Sequence, residues 1–290
     1  MWRVRGFTQS PIVWRRESRR AAFYRSLSIT AARRTDSAQH AQIPGVATER
    51  ADSERNSKRP WKTVGLKAYP EYFTITLDNK PLRTPAGNLL TVPSTKGLFA
   101  ASVVNEWERQ NRVVKQHALT LTSLVSVAID TLSDPGARGD AHMDLLKYLR
   151  TDTILFMAKE PPQLVELQKR HWVPILEWAR AEFNIAIPTS DTLFIQPSPA
   201  QAVQTLHTIL KEMDQWTLAA MCRAVHSSKS FMIGLALVKG RITAEEAALA
   251  ARVEVQSQIN RWGEVEDTHD VDYRDIRRQL SSAALLAANV

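Results

Sequence analysis

The chain has 290 residues, 44% of them hydrophobic and 23% charged, with 8 Trp, 14 Pro and a single cysteine. That composition suits one large globular domain or two modest ones. One cysteine excludes an internal disulfide and a cysteine-rich zinc site. The longest apolar run, residues 231–238, is far short of the roughly 20 residues that span a bilayer, so no membrane insertion is expected.

The net charge of +8 is confined to one end. Residues 1–34 carry nine arginines and one acid, Glu17, and the remainder balances 29 basic against 29 acidic residues. A general phosphate-binding surface therefore has no compositional support, and no nucleic-acid partner is expected. An arginine-rich, serine-bearing, acid-poor leader with interspersed Trp2, Phe7, Trp14, Phe23 and Leu27 has the profile of a mitochondrial transit peptide. Its charge responds to a negative-inside potential worth about 2.3 kcal/mol per charge per 100 mV. A disordered basic tail that binds RNA or anionic lipid is the alternative. Residues 35–58 are polar with few aliphatic side chains, and read as a linker.

From Trp61 the pattern changes. Residues 62–68, 72–77, 81–84 and 89–92 read as strands of an antiparallel meander, with Phe73, Ile75 and Leu77 alternating onto one face and turns at Asp78-Asn79 and Pro85 to Asn88. Pro93-Ser94 opens a helix carrying Leu98, Ala101, Val104 and Trp107, and a second helix is expected near 121–132. After the turn cluster Ser133-Asp134-Pro135-Gly136 helical periodicity takes over. Helices are expected at about 139–157, 161–183 (broken or kinked at Pro174), 199–212, 214–226, 229–239, 243–262 and 272–288, with one strand-like stretch at 194–196. Ser198 to Gln201 and Thr243 to Glu246 read as capping boxes. The fold class is α+β: a small N-terminal meander with helices over 59–134, then an all-α bundle over 135–290.

Catalytic signatures are missing. There is no phosphate-binding glycine loop, no H-E-x-x-H and no G-x-S-x-G. Cys222 and His226 lie one helical turn apart but lack the second pair that a structural zinc needs. Ser227, Ser228, Lys229 and Ser230 are explained by a turn ending in an N-cap serine. Neither a catalytic residue nor a cofactor or metal site is assigned.

The acidic run Glu264, Glu266, Asp267, His269, Asp270, Asp272 and Asp275 admits three readings: a solvated loop, a partner-binding patch or a divalent-cation site. The cation reading gives the alternative function, a metal-dependent matrix enzyme using residues Glu266 to Asp272. In the preceding helix, Ala248, Ala251, Val255, Ile259 and Trp262 fall on one stripe with Glu254 at its border. Trp107, Trp172, Trp178, Trp216 and Trp262 read as core by default, with a groove for another polypeptide as the sharper alternative.

Seven segments occur together in order: Leu77-Asp78 through Pro81-Leu82 and Thr84-Pro85 to Asn88; Val92-Pro93-Ser94; Glu106-Trp107-Glu108 with Gln110; Tyr148-Leu149 with Thr151-Asp152; Trp172, Pro174 and Trp178; Ser230 to Leu237; and Glu254, Gln258 and Trp262-Gly263. This set, covering about 230 residues from Trp61, resembles the mitochondrial ATP synthase assembly factor two family. The resemblance implies a non-enzymatic matrix chaperone that is a monomer when free. Its implied partner is the alpha subunit of the catalytic head, whose interface it would cover until the beta subunit docks. By the same resemblance Glu254 matches the first acid of the family's E-E-x-x-Q segment, with Val255 standing where the family has a second acid. The implied partner-binding set is Glu254, Gln258, Trp262, Glu264, Glu266 and Asp267. Trp107 matches a tryptophan expected to hold the N-terminal unit together.

Overall fold

A computed structural model of the chain describes residues 59–111, 113–192 and 198–289. The leader expected at 1–34, the linker expected at 35–58 and the strand expected at 194–196 lie outside the described residues.

Strand β1 (Val64–Ala68) pairs antiparallel with β2 (Tyr72–Leu77), in register from Val64 opposite Leu77 to Ala68 opposite Phe73. The other edge of β2 is shared by two short strands, β3 (Lys80–Pro81) and β4 (Thr91–Pro93). The two-residue connection Asp78-Asn79 has positive φ at both positions (47° and 63°), the geometry a tight right-twisted hairpin requires. Asp78 also ties down the start of the body, its carboxylate accepting from the N–H groups of Lys62 and Thr63 and from the Thr63 hydroxyl. These bonds hold the carboxyl below its ordinary range. The expected alternation on β2 is blurred: Ile75 is fully buried, but so are Thr74 and Thr76, while Phe73 and Leu77 are only half-buried.

Helix α1 (Gly97–Glu108) packs on the sheet. Its buried face is Phe99, Ala100, Val103 and Trp107, not the expected stripe through Leu98, Ala101 and Val104; Leu98 is 52% exposed. Both sets are spaced for a helix, so periodicity alone does not choose between them. The anchoring member is common to both. Trp107 packs edge-on against Trp61 with ring centroids 5.0 Å apart, and its indole N–H donates to Thr122 Oγ1 at 2.8 Å. Helix α2 (Thr120–Ser126) then passes into a wider π turn at Val127–Thr131.

The remaining helices are α3 (Pro135–Arg150), α4 (Pro162–His171), α5 (Val173–Phe183), α6 (Ala200–Glu212), α7 (Gln215–Ser228), α8 (Phe231–Val238), α9 (Ala244–Ala251), α10 (Val253–Trp262) and α11 (His269–Ala287). Helix α3 starts earlier than expected because Asp134 caps it, accepting from Ala137 N–H at 3.0 Å. The break foreseen at Pro174 falls at Trp172, leaving Pro174 in the first turn of α5, where its missing N–H costs nothing. Thr243 and Glu246 form their reciprocal capping box. Ser198 does not form one, because Pro199 is the N-cap of α6 and no side chain caps it. The single helix expected over 243–262 is two, separated at Arg252.

Helix α8 is buried on all sides, between α7, α5, α3 and α11, which accounts for its unbroken apolar sequence. It lies close to α7: a Cβ added at Gly234 would come within 2.6 Å of Val225 Cγ2 and 3.1 Å of Val225 N. The N-terminus of α8 meets two caps. Ser230 accepts from Ile233 N–H at 3.1 Å, and the fully buried Asp152 accepts from Met232 N–H at 3.0 Å and Ile154 N–H at 3.2 Å. Desolvation pushes the Asp152 carboxyl up from 3.8 to about 6, against the opposing pull of the bonds from Ser230, Met232 and Ile154.

Trp107→Ala should lower the unfolding free energy by ~3–5 kcal/mol in urea titrations, since it removes a buried indole and leaves the Thr122 hydroxyl short of a partner. For Asp152 the folded state holds its proton to higher pH than the unfolded chain, so folding binds protons between about pH 4 and pH 6. Stability from this group therefore rises as pH falls through that window and is lost as pH rises through about 6. Relative to Asp152→Asn, the wild type should gain about 2–3 kcal/mol between pH 6.5 and pH 4, measured by paired denaturation curves.

Candidate functional site

The C-terminal third builds an exposed face from one helix, one loop and the start of the last helix. The break between α9 and α10 is held by Arg252, only 5% exposed, whose guanidinium donates to His269 O at 3.0 Å and stacks 4.3 Å above the Tyr273 ring. That residue joins the start of α10 to the start of α11. Val253 and Ser257 then face inward, with α10 lying against α4.

The expected apolar stripe from Ala248 to Trp262 does not survive the break. Ala248 and Val253 are buried, Val255 and Ile259 half-buried, and Trp262 is 71% exposed. Trp262 is therefore not a core residue. The fivefold set of tryptophans divides: Trp107, Trp172 and Trp216 are buried, Trp178 is half-buried against Phe183, and Trp262 faces solvent. Trp172 shows what a core indole looks like here, donating to Ala250 O at 2.8 Å.

Glu254, Gln258 and Trp262 are all exposed and recur every four residues, forming one ridge about 12 Å long. Arg261 lies 5.1 Å from the centre of the Trp262 ring. Gly263, at φ 89°, ends the helix and turns the chain so that Glu264, Val265, Glu266 and Asp267 project outward. The loop is pinned at its far end, where Val265 N–H donates to His269 Nδ1 at 3.0 Å and His269 N–H donates to Val265 O. Val265 and Val271 are 56% and 53% exposed. Sequence reasoning passed over these two valines; the available signal was their position inside an acidic run that offers no core to bury them.

The face thus exposes the apolar side chains Trp262, Val265 and Val271 on the same helix end, loop and helix start that carry the exposed carboxylates and Arg261. Such an arrangement suits desolvation against an apolar surface, with charged groups at the rim selecting the partner. It does not suit a cation. Among the described residues no three His, Cys, Asp or Glu side chains gather closely enough to hold a metal ion. The Cys222 and His226 pair is likewise engaged in the core. Burial pushes the Cys222 thiol up to about 12, and His226 Nε2 lies 3.4 Å from Asp144 Oδ2.

Comparison with known proteins agrees with this architecture. The family model described as ATP12 chaperone protein matches residues 58–180. The protein named "Protein atp12, mitochondrial" of Schizosaccharomyces pombe is 32% identical over 238 residues, covering 79% of this chain and 82% of its own. Its Saccharomyces cerevisiae namesake is 31% identical over 281 residues, covering 83% and 86%. The crystal structure of Atp12 from Paracoccus denitrificans superposes with a TM-score of 0.70 at 25% identity, covering 81% of this chain and 98% of that one. By class the protein is a chaperone. It belongs to the ATP12 family of mitochondrial ATP synthase assembly chaperones.

Among the described residues no helix is long and apolar enough to cross a membrane.

Proposed function

We propose that this protein is a non-enzymatic chaperone of the mitochondrial matrix that binds the free alpha subunit of the ATP synthase catalytic head. Glu254, Gln258, Trp262, Glu264, Glu266 and Asp267 form the contact, covering the alpha-subunit interface until the beta subunit docks. The free chaperone is a monomer. Residues 1–34 serve as the import leader and 35–58 as a linker, ahead of an N-terminal α+β unit over 59–134 and a helical unit over 135–290.

The observation that carries this reading is the 71% exposure of Trp262 on a helix end followed directly by exposed acids. A tryptophan left in water on a rigid helix end forgoes the burial that the other core indoles obtain, and docking another chain restores it. The physical need is general: an unassembled subunit of an obligate oligomer exposes an apolar interface that aggregates unless covered.

Tagged protein should recover free alpha subunit from mitochondrial extract; recovery of assembled heads alone, or of no subunit, would sink the reading. Trp262→Ala should weaken capture about ten- to thirtyfold with the melting temperature unchanged, as expected of an exposed interface anchor. Glu254→Lys should weaken it about tenfold, and unchanged affinity would remove Glu254 from the contact.

A further inference from the structure

A concavity separate from the acid-rimmed face opens between α1, the connection that follows it, the start of α2 and the C-terminal half of α11. It has a volume of about 560 Å³. Among the described residues that line it, the cations are Arg109, Lys115 and Arg278 and the acid is Glu106.

The charges do not cancel. Both Glu106 oxygens are spent on the body, accepting from Leu121 N–H at 2.8 Å, Thr122 N–H at 2.9 Å and the Thr122 hydroxyl at 2.7 Å. Arg278 donates through Nη2 to Asp275 at 2.5 Å, but among the described residues its Nε has no partner. Among the described residues no carboxylate pairs with Arg109 or Lys115, both of which are exposed. Thr120, another lining residue and only 6% exposed, has a hydroxyl without a partner among the described residues.

The rim is braced. Gln110 accepts from Lys115 N–H at 2.9 Å and donates to Glu106 O at 3.2 Å. Arg59 donates to Gln110 O at 2.6 Å and Glu108 O at 3.1 Å. Aliphatic side chains, Val113 (40% exposed), Leu121 and Leu285, also line it.

We propose that this pocket binds an acidic, aliphatic segment of a client polypeptide, its carboxylates against Arg109, Lys115 and Arg278 and its aliphatic side chains on Val113, Leu121 and Leu285. Volume and lining choose among anions. The space is many times the ~30 Å³ share of one water, so a single inorganic anion leaves most of it empty. Among the described residues none that lines it is aromatic, so a nucleotide base finds no stacking platform there. A peptide with carboxylates and aliphatic side chains matches both the charge and the walls. The inference rests on the polypeptide-binding reading above and adds a second contact of opposite charge. One helix, α11, carries both: its first turn borders the acid-rimmed face, and its residues 278–285 line this pocket.

The test is fluorescence anisotropy with the full chain and an eight-residue peptide alternating glutamate and leucine, beside its glutamine-for-glutamate counterpart. The glutamate peptide should bind at least tenfold tighter than the glutamine peptide at 50 mM salt, with the gap closing at 500 mM. Arg109→Glu combined with Lys115→Glu should reduce its affinity at least tenfold without moving the melting temperature. Lys239→Glu combined with Arg241→Glu, an equal charge change at the exposed end of α8, should not. Equal binding of the two peptides, or equal loss in both double variants, overturns the proposal. So does a photo-cross-link from position 113 to residues 50–58 of the same chain, which would assign the pocket to the protein's own linker. Failure of the chaperone reading is read separately, as lost alpha-subunit capture with peptide binding intact.

Discussion

The helical part of the molecule is organised around a carboxylate held where water does not reach. Asp152 is fully buried at the N-terminus of α8 and accepts from Met232 and Ile154 N–H groups. Helix α8 has no exposed face with which to satisfy its first-turn donors, so they must be met from inside the protein. Asp152 and Ser230 do this together. The cost is an anion in a low-dielectric site, which appears as the raised carboxyl value of about 6. With α8 fixed, α7 packs on it across Gly234, and α11 lies along α7.

From that core the functional surface follows by a second constraint, the buried Arg252. Its guanidinium joins α10 to α11 through His269 O and Tyr273. Because the helix breaks there, α10 turns its ridge of Glu254, Gln258 and Trp262 to solvent rather than continuing the buried stripe of α9. The 263–268 loop is then short and pinned, so its acids project from a defined position. An exposed tryptophan on a braced helix end loses little further freedom on docking, which favours its use as an anchor.

Local signals were legible at most positions where short-range chemistry decides the outcome, the capping box expected at Ser198 being the exception. The Asp78-Asn79 hairpin, the Thr243 and Glu246 box, the Ser230 cap and the break near Pro174 all depend on residues within four positions of one another. The seven ordered segments that carry the family resemblance acquire physical meaning from the fold. Thr151-Asp152 and the 230–237 segment, about 80 residues apart, are the two sides of one capping contact. Trp172 and Ala250 are joined in the same way by the indole hydrogen bond.

Several expectations failed for a common reason. On α1 two helical stripes shared Trp107, and the sheet selected the one through Phe99 and Val103. Trp262 fitted a core spacing, yet no element covers it among the described residues. The basic pocket draws Arg109 and Lys115 from one connection and Arg278 from a helix more than 160 residues later, a grouping no linear pattern reports. Composition, periodicity and caps thus determined the class of fold, most helix positions and the confinement of excess charge to residues 1–34, because these follow from neighbouring residues. Which stripe is buried, which tryptophan is left in water and which distant charges share a pocket were decided only by the packing of helices against one another, because burial belongs to the pair of surfaces in contact and not to either sequence alone.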